Sequence, residues 1–496
     1  MIRATTNSPA AAPSGRQLLL LMLVYFGAHL LSRTLISGAL ELDEAEQALW
    51  TQQLAPGYGA QPPLYTWLQW GVFQLAGVSV FSLALLKNVL IALTYLFVYL
   101  AALRAMPAPL ALLASASMLL IPHIGWESHR DLTHSVLVTT MASATVLVTM
   151  RLVERPRPAL YLLLGLVAGL GMLSKYSYAL FFAALALAML ASPRTRTLAL
   201  NPWILASALV AIVVVAPHAW WLLDHWQMAS DRTLAKMEAR PGAVAGALAG
   251  LGSLVEAVAG TLVVLVVAAA AVFGRDAWRA KTPGARGPFC SLWLRYLAAL
   301  AVLLAAMVVL GGVTNVKGRW LQPLLCMAPL VWFGCRTDLD GHPRLRAWRR
   351  VLAGFAIVFF TLLTLRPAYD GWRGKPGDLN QPAAALAHAL NAEGYDGRGT
   401  IVAADRVMAG VLRTRFTGAR VEVSAAGAPP PGVADGEALL LVAGAGPADE
   451  AWLRDRAEAL GLAEGAAAAG EFELPFAYSR PGQPKAGYRF LLVRAR

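Results

Sequence analysis

Gly38-Ala-Leu-Glu41-Leu-Asp43-Glu44-Ala-Glu46-Gln-Ala-Leu-Trp50, followed by Tyr58-Gly-Ala-Gln61-Pro62-Pro63-Leu-Tyr65-Thr-Trp67, comes directly after the first long apolar run of the chain. The acids Glu41, Asp43, Glu44 and Glu46 are out of keeping with a sequence in which 57% of residues are hydrophobic. A carboxylate at the mouth of a membrane helix is costly unless water, a partner or a substrate compensates it, which makes this stretch the first functional candidate. A structural reading stands beside it. Asp43 and Glu46 have the spacing of a capping box for a short helix running to about Leu54, and one residue can serve both roles.

Working outward, only 14% of the 496 residues are charged, where a soluble domain carries about 25%. With a mean hydropathy of +0.55, the chain reads as a polytopic membrane protein. Apolar runs able to cross a bilayer fall near residues 17–36, 81–103, 108–121, 132–151, 158–172, 176–191, 201–222, 246–273, 291–312, 320–335 and 350–366, about eleven spans in all when kinks and tilt are allowed for. The net charge of +13 is scattered through short loops, which points to topology and away from nucleic acid. If residues 1–16 are cytoplasmic, the inner loops carry Arg104, then Arg151, Arg155 and Arg157, then Arg194 and Arg196. Further on they carry Arg275, Arg279, Lys281 and Arg286, then Arg336, Arg344, Arg346, Arg349 and Arg350. The outer loops are poorer in such residues, and the acidic loop 37–80 faces outward. Arg3 and Arg16 before an apolar run look like a secretory signal, but no convincing cleavage site follows, and an uncleaved first helix is expected.

The outer cations Arg130, Lys175, Arg232, Lys236, Arg240, Lys317 and Arg319 are not required by the topology rule. Cations around an outward cavity suit an anionic ligand at membrane depth, with snorkelling to lipid headgroups as the competing explanation. Lys175, in Leu173-Ser174-Lys175-Tyr176-Ser177, and Lys317-Gly-Arg319-Trp320 lie at tight breaks between apolar runs and are favoured. Cys290, Cys326 and Cys335 have no metal or redox spacing, and no disulfide framework is expected. His129, His134 and His218 fix no ligand set, so no metal site and no required cofactor are expected. Past Pro367 the composition changes: residues 367–382 read as a linker and 383–496 as a soluble α/β domain. Helices are expected near 383–393, 406–415 and 448–460, and strands near 400–404, 438–443 and 488–493. No glycine-rich phosphate loop is found there. An odd number of spans places this domain on the same outer side as loop 37–80.

The Asp43-Glu44 pair soon after the first span, the loop closing on Pro62-Pro63-Leu64-Tyr65, and Leu173-Ser174-Lys175-Tyr176 together resemble the bacterial GT-C glycosyltransferases. That membrane group includes the protein mannosyltransferases and the aminoarabinose transferase of lipid A. The resemblance is clearest over residues 17–190. It implies a mainly α, GT-C-like bundle over residues 17–366, carrying its active site in loop 37–80. It also implies transfer of a hexosyl or pentosyl group from a polyprenyl phosphate to an envelope lipid or glycan such as lipopolysaccharide. The reaction would take place on the periplasmic face of the bacterial inner membrane, usually with inversion. Asp43 matches the catalytic acid of the first outer loop, with Glu44 beside it, and Lys175, Lys317 and Arg319 are expected at the donor phosphate. Tyr58, Gln61, Tyr65, His129, Arg130, Asp131 and Tyr176 are the expected substrate-binding residues.

Two alternatives remain at the level of residues. Asp131 also suits an N-cap of the next helix, and Trp50, Tyr58, Tyr65 and Trp67 also suit an interfacial aromatic belt. Where the lipid A branch has Glu-Lys before Pro-Pro this chain has Ala60-Gln61, which leaves the sugar open. The chemistry agrees with the resemblance. A hydroxyl nucleophile needs a base, and a leaving polyprenyl phosphate needs preorganised cations. The competing class is a transporter or flippase of an anionic lipid-linked sugar. Such a protein places ionisable groups near mid-bilayer in repeated halves, whereas here they gather at one face. The expected partners are the donor, the acceptor and membrane lipids, with no nucleic acid.

Overall fold

Apolar runs fold as helices because in hydrocarbon each backbone N–H and C=O must be satisfied within its own segment. The computed structural model describes residues 15–229, 243–279, 288–424, 438–459 and 467–494. Its first helices are α1 (Gly15–Ile36), α2 (Leu42–Trp50), α3 (Leu64–Ala76), α4 (Val80–Ala102), α5 (Ala108–Ala116), α6 (Ser128–Arg130) and α7 (His134–Glu154). The next are α8 (Pro158–Met172), α9 (Tyr178–Leu190), α10 (Pro193–Ala199), α11 (Trp203–Asp224), α12 (Ala243–Phe273) and α13 (Pro288–Val309). The bundle closes with α14 (Gly318–Leu325), α15 (Ala328–Gly334) and α16 (Leu345–Trp372). Among the described residues, 7 helices are long and apolar enough to cross a membrane, or up to 9 if each of two bent pairs is one span. The remaining expected spans correspond to α8, which has 15 residues, and to the broken pair α14 and α15. Lys281 and Arg286 of the inner loops, and Arg232, Lys236 and Arg240 of the outer set, lie outside the described residues.

The turn from α8 to α9 and the start of α14 bring Lys175 and Arg319 to one cavity. The turn from α8 to α9 is tight because Tyr178 lies across Gly171, where a Cβ would meet the ring at 2.3 Å. The turn is held from two sides: Leu64 N–H donates to Leu173 O at 3.1 Å, and the Tyr178 hydroxyl bonds Thr145 Oγ1 at 2.6 Å. One expectation is corrected here. Cys290 and Cys335 form a disulfide with Cα atoms 5.0 Å apart, because the start of α13 packs beside the end of α15 although 45 residues separate them in sequence.

Helix α16 runs through Pro367 to Trp372, so the segment expected to be a linker begins as helix. Asn380 then closes the junction, donating to Pro367 O at 2.8 Å and Ala477 O at 2.9 Å. Beyond it stand α17 (Ala383–Ala392), α18 (Arg406–Arg415) and α19 (Pro447–Ala459). They pack on a five-stranded sheet formed by β1 (Thr400–Ala403), β2 (Arg420–Val423), β3 (Ala438–Gly444), β4 (Ala467–Pro475) and β5 (Lys485–Arg494). The order is β2-β1-β3-β5-β4, with β1 parallel to β2 and β3 and β5 antiparallel to β3 and β4. All of β1 is buried, as befits a central parallel strand covered on both faces.

This sheet domain is docked on the acidic loop. Helix α18 lies against α2 so closely that a Cβ on Gly410 would stand 2.5 Å from Ala45 Cα. The Gln52 amide acts as a strand partner for edge strand β2: its Nε2 donates to Val421 O at 2.7 Å and its Oε1 accepts from Val421 N–H at 2.8 Å. The Tyr478 hydroxyl donates to Ile36 O at 2.6 Å. Gly410→Ala should therefore separate α18 from α2 at a cost of about 1–3 kcal/mol. Faster proteolytic release of the C-terminal domain from detergent-solubilised protein is the expected readout, and unchanged release would contradict this docking.

Candidate active site

Helix α2 starts one residue after Glu41, whose N–H donates to Glu44 Oε2 at 3.2 Å. The cap spacing is therefore Glu41 with Glu44, not Asp43 with Glu46, and the helix stops at Trp50, short of Leu54. Glu44 is buried between Arg33 at 2.5 Å and Lys87 at 3.1 Å. Burial by itself would raise its carboxyl, but the Arg33 and Lys87 charges and the Arg33 hydrogen bond outweigh it and hold the group down at about 2. Fixing Glu44 inward fixes the other stripe of the helix outward. Asp43, Glu46 and Trp50, spaced i, i+3 and i+7, line a cavity of about 1080 Å³.

Asp43 is partly exposed to this cavity and otherwise enclosed. Its Oδ2 accepts from the N–H and the hydroxyl of Thr133, both at 3.1 Å. Its own N–H donates to Asp131 Oδ1 at 3.2 Å. Asp131 thus grips α2 and does not cap α7, whose N-cap is Thr133. Burial, then the charges of Asp131 and Glu46, push the Asp43 carboxyl up to about 6, against the Thr133 hydrogen bonds. A carboxylate poised this close to neutrality is well suited to take a proton.

Other elements supply the cations of the cavity. Lys175, in the turn between α8 and α9, donates to Ser135 Oγ at 2.7 Å, and Arg319 enters from the first turn of α14. Gln61, Asp131 and Tyr176 also reach the cavity. The Tyr176 hydroxyl meets His218 Nε2 at 3.1 Å, and His218 Nδ1 lies 2.7 Å from Pro56 O. A carbonyl can only accept, so Nδ1 carries the proton and Nε2 accepts from Tyr176. Leu180, Ala183, Leu304 and Met307 make the adjoining wall apolar.

The other expected site residues are not brought to this cavity. Glu44 belongs to the buried triad. Lys317 precedes α14 as its N-cap while Arg319, two residues on, turns inward. The Tyr58 hydroxyl donates to Gln53 O and accepts from Ala55 N–H, each at 2.8 Å. Tyr65 is buried against His134 with ring centroids 5.5 Å apart. His129 stacks on His29 at 3.9 Å, and Arg130 pairs with Glu127 at 3.4 Å. Those last two line a separate small void of about 40 Å³ beside Glu44 and Lys87. Among the described residues, no three His, Cys, Asp or Glu side chains are grouped to hold a metal ion.

Sequence reading missed Glu46 as a cavity group, Ser135, and above all Arg406. Arg406 belongs to the C-terminal domain, yet it lines the cavity and pairs with Glu46. No local signal marks it, because it opens an ordinary amphipathic helix 360 residues from its partner.

The comparisons with known proteins fit this geometry. The dolichyl-phosphate-mannose-protein mannosyltransferase family matches residues 60–221. The chain is 32% identical to lipopolysaccharide core galacturonosyltransferase RgtA of Rhizobium johnstonii, over 96% of this chain and 97% of the relative. It belongs to the same family of GT-C membrane glycosyltransferases. RgtB of the same organism, another lipopolysaccharide core galacturonosyltransferase, is 35% identical over 80% of this chain and 81% of the relative. Among solved structures, apo ArnT from Cupriavidus metallidurans superposes with a TM-score of 0.58 at 12% identity, covering 97% and 98% of the two chains. The same enzyme bound to undecaprenyl phosphate gives 0.56 at 12% identity, covering 96% and 98%. The shared fold therefore includes the C-terminal domain as well as the bundle.

Removing the Glu44 charge should be severe, since it strands Arg33 and Lys87 without their anion. Glu44→Gln is expected to cost about 3–5 kcal/mol, seen as a lowered unfolding temperature in detergent. For wild type, a carboxyl held below its ordinary value of 4.5 contributes fully above that pH, and the contribution disappears as the pH falls through about 2. The stability difference between wild type and Glu44→Gln should narrow across that window.

Proposed function

We propose that this glycosyltransferase moves a uronic acid from a polyprenyl phosphate to the lipopolysaccharide core, with Asp43 as general base. The observation that carries the reading is one cavity lined by Asp43, Lys175 and Arg319 together, from three separate elements. The lipid-phosphate donor is supported by the shared fold of the ArnT structure bound to undecaprenyl phosphate. The sugar and acceptor follow the galacturonosyltransferase relatives. The apolar wall at Leu180, Ala183, Leu304 and Met307 suits a polyprenyl tail.

In the reaction, an acceptor hydroxyl oxygen attacks the anomeric carbon from the face opposite the phosphate and passes its proton to Asp43. The bond from the anomeric carbon to the phosphate oxygen breaks, and polyprenyl phosphate leaves with the added negative charge. Lys175 and Arg319 stabilise that charge as it forms, where exclusion of water makes the interaction strong. Asp131 and Thr133 hold Asp43 in place, and Gln61 and Tyr176 offer hydrogen bonds to sugar hydroxyls. The alternation of basic loops supports a cytoplasmic N-terminus. Loop 37–80 and the 383–496 domain then sit on the periplasmic face of the inner membrane, next to a transmembrane unit spanning 17–366.

Asp43→Asn should lower kcat by at least ~10²-fold with donor binding retained, as measured by transfer of radiolabelled uronate from its polyprenyl phosphate to lipopolysaccharide. Undiminished transfer would refute the base assignment. Because a base must be ionised, wild-type activity should rise with pH through about 6. Asp131→Asn removes a like charge and should move that acidic limb to lower pH. A limb that stays in place would show that another group controls it.

A further inference from the structure

The geometry points to Arg406 as the residue that recognises the carboxylate of the donor sugar, so that the C-terminal domain supplies part of the specificity of the membrane active site. This assignment rests on the uronate reading above and adds to it a residue and a domain.

Among the described residues, three Lys and Arg side chains line the cavity, and they are not equivalent. Lys175 and Arg319 stand at breaks between membrane helices, beside the apolar wall of Leu180, Ala183, Leu304 and Met307. A lipid phosphate whose tail lies along that wall meets these two first. Arg406 comes from the other direction, at the first position of α18 in the sheet domain, where a sugar extending away from the membrane would end.

The charge environment separates them further. Arg406 is ion-paired with Glu46, the neighbour of Asp43 on the cavity face of α2. Glu46 fixes the guanidinium in place at the cavity. A fixed guanidinium is well suited to a carboxylate, because planar N–H donors match two carboxylate oxygens. Among the described residues, its side-chain hydrogen bonding is confined to Glu46, 32% of the side chain is exposed, and the residue lines the cavity. Arg319, by contrast, has no side-chain hydrogen bond or ion pair among the described residues and keeps its full charge for the phosphate.

A uronate carboxylate can bind the guanidinium edge that Glu46 leaves open, with one arginine bridging two carboxylates as its five donors allow, whereas a neutral sugar offers only hydroxyls there. Discrimination between the two then arises from one charge-assisted contact at the end of the sugar remote from the bond being broken.

The test uses purified full-length protein in nanodiscs with two donors, a polyprenyl-phosphate hexuronate and the matching neutral hexose. Arg406→Gln should lower kcat/KM for the hexuronate by at least ~30-fold, mainly through KM, and lower that for the neutral donor by a clearly smaller factor, since the loss of Glu46's partner acts on both. Arg406→Lys keeps the charge without the fork and should fall between. Proteolytic release of the C-terminal domain at the wild-type rate serves as the folding control, because the Arg406–Glu46 pair also belongs to the docking contact. Equal losses with both donors, or no loss with either, would overturn the assignment while leaving uronate transfer by the wild type intact. Failure of the wild type to use the hexuronate at all would instead refute the functional reading on which it rests.

Discussion

The rotation of one short helix is set by a buried charge. Glu44 lies between Arg33 of α1 and Lys87 of α4, and none of the three can move to the opposite face without leaving an uncompensated charge in a low-dielectric interior. Arg33 is further tied to Ser37 O and Ala39 O, and Lys87 to Arg130 O. Three segments of chain thus converge on one carboxylate. With that stripe of α2 turned inward, Asp43 and Glu46 have only the cavity to face.

The cavity in turn sets two kinds of acid against each other. Glu44 is matched by cations and stays ionised, while Asp43, one residue away, faces Asp131 and Glu46 and is raised towards neutrality. Neighbouring carboxylates driven apart in this way are a common arrangement where one acid is structural and the other handles protons. The Thr133 hydrogen bonds limit the rise, so Asp43 is not locked in the neutral form. The helix breaks at Ser174-Lys175 and Lys317-Gly318 bring Lys175 and Arg319 to the same cavity.

The soluble domain is part of this chamber. Its attachment combines a glycine that lets two helices touch, an amide that completes a sheet edge, and an ion pair inside the cavity. ArnT keeps the same overall arrangement at 12% identity. Apolar residues in a helical bundle are interchangeable provided size and pattern persist, so the fold tolerates extensive change.

Much of this was legible in the residues. Low charge and long apolar runs dictated a helical membrane bundle, because backbone polar groups in lipid have no other partners. The change in composition after Pro367 announced an α/β unit, and α18 appears at the expected residues. The acidic stretch and the helix breaks marked Glu41, Asp43, Glu44 and Glu46 with Lys175, Lys317 and Arg319 as candidates, since charge in such surroundings requires compensation, and the family resemblance picked out Asp43 among the acids. Only the tertiary structure separated Asp43 from Glu44: adjacent helical residues diverge by about 100°, and which of them turns inward depends on Lys87, more than forty positions away in sequence. It alone brought Arg406 to Glu46 and Cys290 to Cys335, and it moved Tyr65 and His129 away from the chamber. Those pairings depend on how distant helices pack, a property that no local run of residues encodes.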